Sequence, residues 1–551
     1  MDILQVKNLN FTYPGESQKA IDDVSFAVKS GDFIVVCGET GCGKTTLLRT
    51  LKRELAPVGE RSGTICYNGF RLEELEEDIA ACDIGFVMQN PDNQIVTNKV
   101  FTELAFGLEN MGLPAAVIRR RVGEISSYFG IGDWFHKDIS ELSGGQKQLL
   151  NLASVVVMQP KVLILDEPTA QLDPITASDF IATLRKLNSE LSLTVIVVEH
   201  RLEEVLPIAD KVLLMKAGKS VFYDTPRHVA EQLGENDNML HAMPGAVRLC
   251  HAFSYDSRCP LTIKEGRRFI QEHFKKDIAM LPENIAPKDE KANTTAVLEL
   301  KNIWFRYNKD TPDILRGTNL TVKQGEIVCI LGGNASGKTT MLGVAAGILK
   351  AYAGSVRIFG KKLQTYKNGS LYKNNLALLP QDVGTVFAAD TVQADLEQAG
   401  VSFADIPYDI SALLHKHPYD LSGGEQQLCA IAKILGQKPR ILLMDEPTKG
   451  IDAFAKQNLL QILRDLRNKG MTIIVVTHDV EFVASCADRC AMFFDGDILS
   501  EDRPEVFFKE NYFYTTAANR MTRHIYDNIV TVKDMIKICK LNEGLMEEEK
   551  S

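Results

Sequence analysis

No stretch of the 551 residues approaches the roughly 20 consecutive apolar positions that a membrane-spanning helix needs. The apolar runs present, such as Val162 to Leu165 and Ile473 to Val476, have the length of strands. The opening residues, Met1-Asp2-Ile3-Leu4-Gln5-Val6, lack a basic stretch followed by a long apolar core and a small-residue cleavage site, so the expectation is a cytoplasmic protein. Metal-ligand spacing is missing too. Among 11 cysteines, Cys486 and Cys490 lie close together without a second pair or nearby histidines, and Cys37 and Cys329 sit in apolar runs, which reads as reduced structural thiols. There is no excess of basic charge: 62 Lys and Arg face 72 Asp and Glu, a net charge of −10, which argues against a general nucleic-acid-coating role. With 45% hydrophobic residues, 39 Gly and 20 Pro, collagen-like, mucin-like and disordered classes are excluded.

What is present is length, and within it a repeat. The chain is too long for one compact domain, and several unusual strings recur in the same order. Gly38-Glu39-Thr40-Gly41-Cys42-Gly43-Lys44-Thr45-Thr46 returns as Gly332-Gly333-Asn334-Ala335-Ser336-Gly337-Lys338-Thr339-Thr340. Leu142-Ser143-Gly144-Gly145-Gln146 returns as Leu421-Ser422-Gly423-Gly424-Glu425, Asp166-Glu167-Pro168-Thr169 as Asp445-Glu446-Pro447-Thr448, and His200 as His478. Between Gln89 or Gln381 and the Leu-Ser-Gly-Gly string the second copy is shorter by about 13 residues, which marks that segment as the variable part. The sequence divides into a first domain over 1–240, a connector over 241–296, a second domain over 297–525 and a tail over 526–551. Residues 226 to 296 hold ten Lys or Arg and ten Asp or Glu with five prolines, and their polar end, Lys288 to Thr295, reads as a solvent-exposed linker.

Each recurring string has a chemical reading. Phe33 to Cys37 is a run of β-formers and Thr45 onward reads as a helix start, so the glycine-rich string lies in a strand-to-helix turn. There the backbone can curl its N–H groups around phosphates, Lys44 supplies a point charge to the β- and γ-phosphates, and Thr45 offers a hydroxyl to Mg2+; Lys338 and Thr339 repeat the arrangement. Val162 to Leu165 and Ile441 to Met444 are buried strands that each deliver two carboxylates, Asp166-Glu167 and Asp445-Glu446. One carboxylate can hold Mg2+ through water and its neighbour can polarise the water that attacks the γ-phosphate. Two further strands end at His200 and His478, where an imidazole can hold that water in line.

On these motifs both halves resemble ATP-binding cassette (ABC) ATPase domains, over roughly residues 4 to 240 and 297 to 520. The resemblance implies an α/β fold of two tandem P-loop NTPase domains, each with a RecA-like mixed-sheet core, an antiparallel β subdomain and a helical signature subdomain. It implies ATP and Mg2+ as ligands. Tyr13 and Tyr307 match the aromatic that stacks on adenine, Gln89 and Gln381 the glutamine that reaches Mg2+ and senses the transport partner, and Asp166 and Asp445 the metal-side carboxylates. Glu167 and Glu446 match the general bases, and His200 and His478 the switch histidines. Ser143, Gly144 and Gly145, with Ser422, Gly423 and Gly424, match the signature that caps ATP bound to the opposite domain; Asp173 and Asp452 match the loop linking the two sites. Two hydrolytic sites, formed head to tail within one chain, are therefore expected.

Transport and ribosome- or nucleic-acid-directed members of this family differ in their connectors. The charge-balanced, proline-interrupted connector and acidic chain favour transport over a soluble tandem ATPase acting on ribosomes or nucleic acid. Tandem sugar-import ATPases usually have an altered second phosphate loop and lack the second glutamate, and Lys338 and Glu446 speak against that class. Gln89-Asn90-Pro91-Asp92-Asn93-Gln94, the run Val100 to Asn110, and Val198 to Val205 resemble the energy-coupling factor (ECF) branch, whose cargo is a vitamin or metal ion. That resemblance implies an integral membrane scaffold subunit, a small membrane substrate-binding subunit, a place at the cytoplasmic face of the membrane, and no nucleic-acid partner. Gln381-Asp382-Val383-Gly384-Thr385 departs from the pattern, so the halves are expected to meet the scaffold unequally.

Overall fold

A computed structural model describes residues 2–234, 237–253, 258–274, 295–367, 369–403, 406–526 and 528–548. The linker expected over Lys288 to Thr295 lies, but for its last residue, outside these. The chain divides into two compact units, Met1–Thr262 and Ile263–Ser551.

In each unit a strand buried on both faces organises the core. Phe33–Gly38 pairs in parallel with Thr194–Val198 on one side and Lys211–Lys216 on the other. The six-stranded sheet then extends through Val162–Asp166 to Ile84–Val87, and the antiparallel Lys219–Asp224 closes its other edge. Ile327–Leu331 holds the same place in the second unit, with the same strand order. Side chains alternate across the sheet: Phe33, Val35 and Cys37 enter a core shared with helices, and Ile34 and Val36 a core shared with a β subdomain. Two covered faces explain why these strands read as unbroken apolar runs rather than as an alternation. Each fully buried Val or Ile contributes about 1.5–3 kcal/mol over an exposed one.

The β subdomain of the first unit is a four-stranded antiparallel sheet built around Asp2–Thr12, and that of the second is built around Ala296–Phe305. Both carry the same irregularity. Asn8 and Asn302 stand at φ 47° and 50° where the register shifts, and Gly63 and Gly354 oppose them at φ +94° and +93°.

The helical subdomains differ. The first places helices Val100–Asn110 and Ala115–Tyr128 before the signature helix Gly144–Val156. The second passes from the shorter helix Val392–Gln398 to Gly423–Leu435 through 3-10 turns, so among the described residues Ala115–Tyr128 has no counterpart. That is the material the shorter spacing removes.

The connector region is divided between the units. Met239, Met243, Val247, Cys259 and Leu261 join the first unit's core. The helix Ile263–His273 packs on Ala517–Thr522 of the second, with the Arg267 guanidinium donating to the Arg520 carbonyl. Beyond residue 526, the helix Val532–Glu548 buries Val532, Met535, Ile538 and Cys539. Among the described residues no helix is long and apolar enough to cross a membrane.

A Cβ on Gly63 or Gly354 would lie 2.3 Å from the carbonyl oxygen of Asn8 or Asn302. Gly63→Ala and Gly354→Ala are each expected to lower unfolding free energy by about 1–3 kcal/mol, read as a fall in the urea midpoint.

Candidate functional site

The glycine-rich strings form strand-to-helix turns, leading from Phe33–Gly38 into the helix Lys44–Thr50 and from Ile327–Leu331 into Lys338–Ala345. Their glycines are not equivalent. A Cβ on Gly38 would sit 2.3 Å from the Met215 carbonyl oxygen, and one on Gly43 would sit 2.2 Å from that of Ala20. Those two are required by the close approach of backbone from neighbouring elements. Gly41, at φ +78°, faces open space and needs only the left-handed conformation; its counterpart Ala335 adopts φ 58° with a side chain. Inside the turn the Lys44 ammonium donates to the carbonyls of Gly38 and Glu39, both at 2.9 Å, and Lys338 to those of Gly332 at 3.0 Å and Gly333 at 2.8 Å. Both lysines are buried. The Tyr13 hydroxyl meets Thr46 Oγ1 at 3.0 Å and that of Tyr307 meets Thr340 Oγ1 at 3.2 Å, which ties each aromatic to the start of its phosphate-loop helix.

The carboxylate pairs lie at the ends of fully buried strands, Val162–Asp166 and Ile441–Asp445. Thr45 donates to Asp166 Oδ1 at 3.1 Å, and the Thr339 hydroxyl favours the charged form of Asp445. Burial, with the charge of Glu167 second, raises the Asp166 carboxyl to about 6; burial also raises Asp445. Glu167 and Glu446 stand at φ 46° and 48°, a conformation that costs about 1–3 kcal/mol for such residues. Their amides donate across to Val198 and Val476 at 3.0 and 2.8 Å, which holds the strained turn.

In the first unit Gln89, Glu167 and His200 come together: His200 Nε2 lies 2.8 Å from Glu167 Oε1, and Gln89 Nε2 donates to Glu167 Oε2 at 2.8 Å. The second groups its residues differently. His478 Nδ1 lies 2.9 Å from Glu446 Oε2, Lys338 Nζ is 3.9 Å from Glu446 Oε1, and Gln381 is exposed on its own loop. Burial opposes the charged form of Glu446, but the His478 bond and charge, with Lys338, outweigh it and hold its carboxyl below the ordinary range.

Ser143 and Ser422 cap the signature helices through reciprocal capping boxes with Gln146 and Glu425. Asp173 and Asp452 cap the helices Pro174–Leu191 and Ala453–Asn468. The two features touch: a Cβ on Gly145 would fall 2.7 Å from Thr176 Cγ2, and one on Gly424 would fall 2.8 Å from Ala455 Cβ. These glycines therefore have a packing role that the motif did not reveal, whereas Gly144 faces open space.

Sequence reasoning assigned no role to Glu199. It is buried, and its carboxylate accepts the amides of Thr169 at 3.1 Å and His200 at 3.2 Å, pinning the switch histidine to the segment after Glu167. Thr477 stands in its place in the second unit and meets Thr448 Oγ1 at 3.2 Å. The signal available was the chemical difference between the copies at this position.

The residues present fit a magnesium nucleotide. Asp445 Oδ1 and Ser336 Oγ are buried without a hydrogen-bond partner, one at the strand-end carboxylate and one in the phosphate loop. A single carboxylate with a threonine hydroxyl suits Mg2+, which completes its shell with waters and phosphate oxygens.

The ABC transporter family profile matches residues 21–170 and 315–449, just over half of the chain. A provisionally named ABC transporter ATP-binding protein of Bacillus cereus is 39% identical over 546 residues, spanning 97% of this chain and 98% of its own. The chain belongs to the ABC transporter ATP-binding family. It is an ATPase coupled to transport, it uses ATP and Mg2+, and its α/β fold holds two tandem ABC domains. Similarly named proteins of Streptomyces coelicolor and Methanosarcina acetivorans are 32% and 30% identical, covering 91% of this chain in each case and 93% and 84% of their own. Among solved structures, cbiO1 of Clostridium perfringens, part of the ABC transporter complex cbiONQ, is 34% identical with a TM-score of 0.39, over 42% of this chain and 91% of that one.

The unequal glycines of this ABC ATPase give a direct test. Gly41→Ala, which copies Ala335, is expected to change unfolding free energy by no more than about 1–2 kcal/mol. Gly43→Ala adds a clash to the same conformational strain and is expected to cost more than about 3 kcal/mol, measured side by side in thermal melts.

Proposed function

We propose that this chain is the fused two-domain motor of an ECF importer for a vitamin or a metal ion, working at the cytoplasmic face of the membrane with a membrane scaffold and a small membrane substrate-binding subunit. The carrying observation is the segment after Gln89. Gln94 accepts the Met88 amide and donates to the Phe86 carbonyl, both at 2.9 Å, which fastens the Asn90–Gln94 turn to the end of the strand Ile84–Val87, and Lys147 meets Asp92 at 2.7 Å, which ties the turn to the signature helix. Glu103 accepts the amides of Val96 and Thr97. The framework is built, yet Val96 is 65% exposed and Phe101, Phe106 and Met111 are exposed beside it. Apolar side chains displayed on a rigid turn and helix next to the site support a protein-docking face. The truncated subdomain of the second unit supports unequal contact with the scaffold.

In this reading the two domains pair head to tail within the chain. Lys44 and Lys338 exchange backbone carbonyls for the β- and γ-phosphates, and Tyr13 and Tyr307 stack on adenine. Ser143, Gly144 and Gly145 close over the nucleotide of the other domain, as do Ser422, Gly423 and Gly424, while Asp173 and Asp452 link the sites. Thr45, Asp166 and Gln89, or Thr339, Asp445 and Gln381, would hold Mg2+, which would supply positive charge against the phosphates. Glu167 and Glu446 accept the proton of the attacking water, and His200 and His478 hold that carboxylate and water in line.

Glu167→Gln and Glu446→Gln keep the shape and remove the base. Each is expected to lower ATP turnover by about 10²–10⁴ at its own site with nucleotide binding retained, measured by phosphate release and equilibrium binding. For the importer class, tagged protein purified from its native membranes in mild detergent is expected to bring down two small, strongly hydrophobic polypeptides, and Phe101→Asp to lose them while keeping ATPase activity. Recovery of ribosomal proteins or RNA, with no membrane partner, overturns the importer reading.

A further inference from the structure

The second phosphate loop has an aromatic neighbour. After the helix Pro504–Glu510 the chain runs through Tyr512-Phe513-Tyr514 into the helix Ala517–Thr522. This passage is pinned on both flanks. Thr515 Oγ1 donates to the Phe508 carbonyl at 2.8 Å and Thr516 Oγ1 to that of Val530 at 2.6 Å. The Ala517 amide donates to Glu481 Oε1 at 2.7 Å, on the helix Val480–Cys486 that begins two residues after His478. Held in this way, the half-buried Tyr514 places its hydroxyl 3.8 Å from where a Cβ on Gly333 would stand. Gly332 and Gly333 are the residues whose carbonyls hold the Lys338 ammonium.

The first unit makes the opposite choice at both positions. Its loop carries Glu39 where the second carries Gly333, and counting from Pro226 and Pro504, the stretch aligned with Tyr512 to Tyr514 is Gly234-Glu235-Asn236, without an aromatic residue. A side chain as long as that of Glu39 at position 333 would have to pass the phenol. Glycine and tyrosine therefore occur together in one unit and are absent together from the other.

We propose that Tyr514 is a positioning residue of the second ATP site, its phenol standing against the Gly332–Gly333 turn and so limiting that turn to the arrangement that presents Lys338 to the phosphates. It is fastened through Ala517 and Glu481 to the helix behind the switch histidine, so the loop and that helix share one support. The inference rests on reading Gly332 to Thr340 as an ATP site and is independent of the importer class.

The test counts and weighs nucleotide sites on the full chain by equilibrium binding of Mg2+ with a non-hydrolysable ATP analogue. Lys44→Ala and Lys338→Ala are each expected to leave one binding site. In the Lys44→Ala chain, Tyr514→Ala is expected to raise the Kd of the remaining site at least about fivefold, and Tyr514→Phe, which keeps the ring, to leave it within about twofold. In the Lys338→Ala chain the same substitutions are expected to leave Kd within about twofold. Wild-type binding by Tyr514→Ala in the Lys44→Ala chain overturns the proposal, and so does equal weakening in both backgrounds, which shows a general structural role. Two sites persisting in the Lys338→Ala chain overturns the ATP-site reading itself.

Discussion

Parallel pairing of Phe33–Gly38 with both Thr194–Val198 and Lys211–Lys216 brings three strand ends to one edge of the sheet, and Val162–Asp166 adds a fourth. Loops that leave those ends are neighbours whatever their distance in sequence. The phosphate loop, the carboxylate pair and the switch histidine meet there for that reason, and ligand sites in open parallel sheets lie at this edge in general. The constraint is enforced by burial. All four strands are apolar on both faces, so a slip of one residue would have to move a whole strand's side chains into the opposite core.

The cost of such an edge is concentrated at a few backbone positions. Glu167 and Glu446 turn through a left-handed conformation immediately beyond their strands, each held by one amide hydrogen bond to the next strand. Beyond that turn the Glu167 carboxylate meets Gln89 and His200, and the Glu446 carboxylate meets His478 and Lys338. Gly38 and Gly43 answer a different demand, the near-contact of two backbones, and Gly145 and Gly424 answer a third, the packing of the signature helix on the helix after the Asp173 or Asp452 loop. A glycine motif of this kind is thus a composite of steric requirements from the fold and of open positions left for the ligand.

The two copies share a sheet and differ around it. Glu167 is shared between Gln89 and His200, whereas Glu446 is enclosed by His478 and Lys338. Glu199 and Thr477 support the switch segment by different bonds, and among the described residues the helix Ala115–Tyr128 has no counterpart in the second unit. Divergence has gathered in the loops and helical subdomains, while both buried sheets keep one strand order.

The sequence alone determined the repeat, the α/β class, the strand-to-helix turns at Lys44 and Lys338, the carboxylates at the strand ends and the shortened segment of the second copy. Each of these is written locally, in a run of β-formers, a glycine spacing or a difference of length. It could also set Gln89, Glu167 and His200 in one site by resemblance, but only the tertiary structure decided which partner each carboxylate takes, because those contacts join residues from different strands through side-chain rotamers. The pinning of His200 by Glu199 and the approach of Tyr514 to Gly333 were invisible for the same reason. Nothing in a local pattern reports that a tyrosine near the end of the chain stands over a glycine some 180 residues before it; burial of the helices that carry it brings them together.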